Sequence, residues 1–407
     1  MQTTPRTKNE NERLRLNAPL ALRAGLAALG GILLVAAWAL GKESQGPGFA
    51  ASYLINFCYF LSLSLGALFF VAMGHLTRAG WNVAVRRIAE LMAATVLWLA
   101  PLFLPILVPV LTGTSPLYVW SHPEAVAEDP LLAWKAPYLN GPFFAFRAVV
   151  YFAVWAWLAR FYLVQSCRQD DSGDPALTRR MERLAPASLV LFGLSVSFAS
   201  FDWLMSLEPH WFSTIFGLYY FSGSVVGCLA AWILLAMALQ AGGWARQSIT
   251  VEHYHELGKL LLGFIIFWGY MAFSQYMLIW YANIPEESVW YLARQTGPWV
   301  WCSLGLMFGH LFLPFFGLLS REVKRRKMLL GAWAVWMLAI HWIDLYWLVM
   351  PTFAPKYLPF GPTDILCLVG LGCIFIAGFL YSARGRALVP SRDPRLEESL
   401  ALENAVP

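Results

Sequence analysis

Asp202, Glu208 and His210 fall within nine residues of one another in SVSFASFDWLMSLEPHWFSTIFGLYYFSGSVVG, residues 195–227, between two apolar runs. A carboxylate at the centre of a membrane-spanning helix costs roughly 2.5–3.5 kcal/mol on insertion scales, so titratable groups kept beside hydrocarbon need a partner or a task. Two tasks suit this trio at the edge of a bilayer: passing protons across the boundary, or holding the head of a quinone. The competing reading is an interfacial loop whose charges face water. Pro209 stands where a new helix can begin.

A second constellation sits in later apolar runs. His341 and Asp344 are spaced i, i+3, which lets an imidazole and a carboxyl interact along one helical face. His310 lies in the preceding run, with Ser303 two turns away. Lys259, Gly263, Tyr270, Ser274 and Tyr281 share a stripe with Gln275 beside it, and a polar stripe on a spanning helix is expected to face a bundle interior. His75, Glu90, His253, His255 and Glu256 lie toward the other membrane face. The titratable residues thus form an outer group (Asp202, Glu208, His210, Asp344, Arg294) and an inner group (His75, Glu90, Lys259, His310), the pattern of two proton half-channels. Against this stands the packing role of any single buried histidine. His341, Asp344 and Asp202 are expected to carry protons or stabilise a hydrated cavity, and not to ligate haem, because no one helix spaces two histidines to bracket a porphyrin.

Other features carry less. Pro101, Pro105 and Pro109, four residues apart, each remove a backbone donor, which either opens a stripe of free carbonyls or only kinks the helix. Gly223 and Gly227 make a GxxxG close-packing signal. The six cysteines never adopt a C-x-x-C spacing and lie mostly in apolar runs, so they read as small core residues and give no iron–sulfur, c-type haem or zinc motif.

The elements that position these residues are set by composition. Of 407 residues, 59% are hydrophobic and 13% charged, where a soluble domain has about 25% charged. This is the composition of an all-α, multi-pass membrane protein. Ten apolar segments are predicted, near residues 19–41, 50–76, 82–112, 142–165, 184–206, 211–240, 257–283, 290–320, 327–350 and 362–383. The first resembles a long signal peptide, with Ala37-Trp38-Ala39 near its end, and is counted as a helix. It gives a domain 19–383 between tails 1–18 and 384–407. Alternating the segment ends leaves only Lys42, Lys135, Arg147, Arg294 and Lys356 of the 29 Lys and Arg on one side. The positive-inside rule then places both termini, Met1 and Pro407, in the cytoplasm and residues 202–210 outside. The longest outer loop, 112–141, carries Glu124, Glu128 and Asp129 and is expected to form an ordered cap or docking surface.

Five strings, SFDWLMSLEPHWFSTIFGLYYFSG, KLLLGFIIFWGYMAFSQYMLIWYANIPEE, APYLNGPFFAFRAVVYF, HLFLPFFGLLSREVKR and HWIDLYWLVMP, together resemble the ActF membrane subunits of bacterial Alternative Complex III over residues 136–351. These belong with the NrfD-like, polysulfide-reductase-type membrane subunits. The resemblance implies two four-helix bundles, segments 2–5 and 6–9, flanked by segments 1 and 10. It also implies a bacterial inner-membrane location and a role as a non-catalytic subunit of a quinol:electron-acceptor oxidoreductase, without a redox cofactor of its own and with proton half-channels. The implied partners are an ActC-like NrfD-family subunit, a periplasmic iron–sulfur subunit, and multihaem and monohaem cytochrome c subunits. Haem c and iron–sulfur clusters would lie in those partners, with menaquinol as the substrate of the whole. A quinone-binding role for this chain is the alternative, and a secondary transporter is a third reading.

Overall fold

The computed structural model describes residues 15–41 and 48–404. Its ten long apolar helices are α1 (Leu20–Gly41), α2 (Gly48–Leu76), α3 (Val83–Leu111), α4 (Gly141–Ser172), α5 (Pro175–Leu207), α6 (Phe216–Ala241), α7 (Val251–Ala282), α8 (Trp299–Leu319), α9 (Lys327–Phe353) and α10 (Pro362–Ser382). Each is long enough to cross a hydrocarbon layer of about 30 Å at 1.5 Å per residue. The chain is therefore an all-α, multi-pass membrane protein. Met1, Pro407 and Lys42 lie outside the described residues.

Local chemistry sets the helix ends. Asn140 accepts the Phe143 amide at 2.9 Å to open α4, with Pro142 in its first turn. Gly173, at φ +69°, closes α4, a left-handed position that a glycine adopts without a Cβ clash. Asp174 then accepts the Ala176 amide at 2.8 Å and starts α5 at Pro175. Helix α5 thus begins well before the predicted residue 184: its first three turns carry Arg179, Arg180, Glu182 and Arg183, which no apolar window captures. The predicted segment 290–320 is two helices, a short one at Pro285–Gln295 and α8, divided at Gly297 (φ +58°) and Pro298. At the prolines of α3 the helix tightens to a 3-10 turn, Ala100–Phe103, and the Leu102 carbonyl accepts from the Tyr53 hydroxyl at 2.6 Å.

Helices α2–α5 and α6–α9 pack as two groups joined through α2 and α6, the two helices buried almost throughout. At their crossing both backbones need glycine. A Cβ on Gly66 would stand 2.5 Å from Cys228 Cβ, and one on Gly227 would stand 3.0 Å from Leu63 Cδ2. Helices α1 and α10 pack along one another, and α10 rests on α2 and α3.

The two ends of the bundle differ. At the end where α1 begins and α10 finishes, residues 384–404 fold back onto the helices. Asp393 accepts from Arg86 at 2.6 Å, the Ser391 amide donates to Asp170 at 2.9 Å, Arg395 pairs with Glu182 at 2.6 Å, and the Ser399 hydroxyl donates to the Trp81 carbonyl at 2.7 Å. At the opposite end, residues 112–141 form a cap over the α5–α6 turn. Tyr118 donates to the Trp203 carbonyl at 2.9 Å, Trp120 to the Ser206 carbonyl at 3.1 Å and Lys135 to the Pro209 carbonyl at 2.5 Å.

Candidate functional site

The three residues that stand out first in the sequence do not form one site. Asp202 is buried and accepts a bidentate pair from Arg147 of α4, at 2.7 and 3.0 Å, with the Tyr151 hydroxyl at 2.7 Å. Arg147 also donates to the Tyr138 carbonyl at 2.8 Å and stacks on the Tyr138 and Phe143 rings. Glu208 faces elsewhere: it accepts from Thr352 at 2.6 Å and from Arg294 at 3.3 Å. Arg294 is wholly buried, stacked 3.5 Å from the Trp290 centroid, and donates to the Leu348 carbonyl at 2.8 Å. Burial pushes its guanidinium down to about 10, while Glu208 pulls the other way. His210 is exposed and pairs with Asp129 of the cap at 2.6 Å. The reading of Asp202, Glu208 and His210 as one trio is therefore corrected. After Trp203 the chain makes a 3-10 turn at Met205–Leu207 and loses helical register, so each of the three meets a different element.

The stripe on α7 is corrected as well. Tyr270 and Tyr281 are among its most exposed residues, Gly263 has open space where a Cβ would stand, Ser274 is half-buried, and Lys259 lies at the surface paired with Glu256 at 2.5 Å. The inward face is instead Tyr254, Leu257, Leu261, Ile265, Trp268 and Gln275. In a helix apolar on every side, aromatic hydroxyls tolerate the outer surface and periodicity does not say which stripe is inside.

The inner group separates too. Glu90 is held between Arg86 at 3.0 Å and Arg87 at 2.8 Å, and Arg87 also pairs with Asp170 at 2.8 Å. This closed network joins α3, α4 and the C-terminal segment. His75 is buried with its ring stacked on Tyr162, centroids 5.4 Å apart. His310 leaves the group altogether and joins His341 and Asp344.

That junction, midway along α8 and α9, is the candidate site. His310, His341 and Asp344 are each at most 1% exposed, and one ligand atom from each lies within 4.8 Å of the others. Asp344 accepts one bond on each oxygen, from the Tyr219 hydroxyl and from the Trp268 indole at 3.1 Å. Neither donor is a cation, and among the described residues Asp344 has no ion pair. His341 does not bond to Asp344 as the i, i+3 spacing invites. Its Nε2 meets Ser62 Oγ at 2.8 Å, and Ser62 gives its own hydrogen to the Tyr59 carbonyl at 2.6 Å. Ser62 can then only accept, so Nε2 carries the proton and Nδ1 presents a lone pair, which has no hydrogen-bond partner. Among the described residues both ring nitrogens of His310 are likewise without a hydrogen-bond partner, and its ring stacks 3.7 Å from Trp268. His310 occupies a π-helical turn, Met307–Phe312, which widens α8 by one residue at this point.

Gly223 keeps the junction open. A Cβ there would stand 3.3 Å from His341 Nδ1 and 3.4 Å from Asp344 Oδ2; at Gly227 it would stand 2.6 Å from His341 Cδ2. The GxxxG signal is thus a seat for these two side chains as well as a helix crossing.

The sequence holds a signal for this site that residue-by-residue reading misses. FDWLMSLEP at 201–209 and IDLYWLVMP at 343–351 each place an aspartate seven residues before a proline, at the end of the last helix of each four-helix group. Asp202 and Asp344 occupy matching positions, but among the described residues only Asp202 pairs with an arginine. Sequence reading also passes over Arg147, Tyr219, Trp268 and Ser62 as partners. Compared with protein-family models and with curated proteins, the chain matches none.

Proposed function

We propose that this chain is an integral, non-catalytic subunit of a bacterial quinol:electron-acceptor oxidoreductase of the Alternative Complex III type, and that it exchanges protons at Asp344 within the bilayer. The observation that carries the proton role is a mid-span carboxyl held by two neutral donors, with no counter-cation among the described residues, beside an imidazole whose lone pair none of them claims. A carboxyl needed only for packing is better served as Asp202 is, by a bidentate arginine. Asp344 instead keeps both protonation states within reach, because Tyr219 and Trp268 stabilise the anion and His341 Nδ1 can accept from the acid.

The assignment to a quinol-oxidising complex rests on the resemblance over residues 136–351. It carries with it the inner-membrane location, cytoplasmic termini, an ActC-like partner, iron–sulfur and cytochrome c subunits that hold the clusters and haem c, and menaquinol as substrate of the assembly. The charge asymmetry of the two bundle ends supports the orientation. The quinone-binding alternative has one observation in its favour, a mostly apolar cleft of about 580 Å³ between α1, α2 and the proline-bearing end of α3, lined by Trp38, Tyr53, Pro105 and Pro109. Gentle solubilisation of native membranes tests the complex directly. The chain is expected to co-purify with haem-c-containing chains and with quinol oxidation, and isolation of a haem-free particle lacking that activity contradicts the assignment.

A further inference from the structure

We infer that His310, His341 and Asp344 form a binding site for a first-row divalent cation of the zinc class, in the core of the second four-helix group. Two imidazoles and one carboxyl are a common nitrogen–oxygen donor set for such ions and leave a fourth position open. His341 Nδ1 is the free lone pair because its Nε2–H is committed to Ser62, the outer hydrogen bond that orients a metal-binding imidazole. Asp344 is oriented in the same way by Tyr219 and Trp268. His310 brings two ring nitrogens that have no hydrogen-bond partner among the described residues, in a fully buried position; a cation would engage the one that carries the lone pair.

The space is also prepared. Gly223 leaves room beside His341 Nδ1 and Asp344 Oδ2 that any larger residue would crowd. Donor atoms around a tetrahedral zinc at roughly 2.0–2.1 Å stand about 3.4 Å from one another. The set, spread over at most 4.8 Å, therefore closes by up to about 1.4 Å through rotations of the two rings and the carboxyl. As a point of regulation the site rests on the proton reading, since a bound cation occupies the lone pairs through which a proton would pass. As a metal site it stands on geometry alone.

The test uses the full-length chain, tag removed, in detergent, stripped with chelator and titrated with Co²⁺. One saturable equivalent is expected, with the visible d–d bands of four- or five-coordinate cobalt and displacement by Zn²⁺. His310→Ala and Asp344→Asn should each weaken binding at least tenfold, while His122→Ala, in the cap, should bind like the parent. His310→Cys should keep the ion and add a thiolate-to-cobalt charge-transfer band, which no purely structural role for residue 310 produces and which serves if the alanine variant fails to fold. Absence of saturable binding to the parent chain, or unchanged binding in folded His310→Ala, overturns the inference. The readout is metal alone, so its failure leaves the proton role of Asp344 untouched.

Discussion

Asp344→Asn is expected to abolish proton uptake or release by this chain while leaving it folded. Asparagine retains the volume and one acceptor oxygen, so either Tyr219 or Trp268 keeps its bond, and no counter-cation is left unpaired because Asp344 has none among the described residues. What disappears is the exchangeable acid beside His341 Nδ1. In the assembled complex in liposomes, proton transfer per electron should fall while the variant still assembles with its partners. His341→Gln should give a partial loss, since it removes the basic ring nitrogen next to Asp344 but leaves the acid. An unchanged proton stoichiometry in Asp344→Asn would mean that the carboxyl only joins α6, α7 and α9.

The Arg147–Asp202 pair gives the opposite pattern, a large effect on stability. Both side chains are buried, and removing one partner of a buried, hydrogen-bonded ion pair costs about 3–5 kcal/mol because the other charge is stranded. Arg147→Ala should therefore lower unfolding stability in detergent by about that amount. It also removes the stacking on Tyr138 and Phe143 and the tie to the Tyr138 carbonyl, which anchor the cap. Joining Arg147→Met with Asp202→Asn removes both charges and should cost less than Arg147→Ala alone. Equal losses in the single and double variants would show that lost packing, and not a stranded charge, sets the cost.

The ten spans were legible because hydrophobic length is a one-dimensional property that the bilayer imposes on each helix separately. Side-chain partners were less so. Residues such as Asp202 and Glu208 announce that a titratable group lies beside hydrocarbon, but their counter-ions are far off in sequence: Arg147 reads only through its effect on topology, and Arg294 joins the outer group without showing which carboxylate it meets. The stripe of α7 misled because a spanning helix can be apolar on all sides, so tyrosines at Tyr270 and Tyr281 mark the outer surface as readily as an interior. The pair His341 and Asp344 was visible from spacing alone. That His310 completes it depends on the π-helical turn in α8, which no i, i+3 or i, i+4 rule anticipates. The C-terminal segment reads as a polar tail, and its attachment shows only when Asp393 meets Arg86 across the fold.

The central claim is that Asp344 changes protonation state inside the membrane, and infrared difference spectroscopy of the purified full-length chain tests it most directly. Stepping the pH should produce a carbonyl-stretch band of a protonated carboxyl group that shifts in H₂O/D₂O exchange, responds to His341→Gln and vanishes in Asp344→Asn. A difference spectrum in which Asp344→Asn and the parent chain show the same carboxyl bands at every pH would contradict the account.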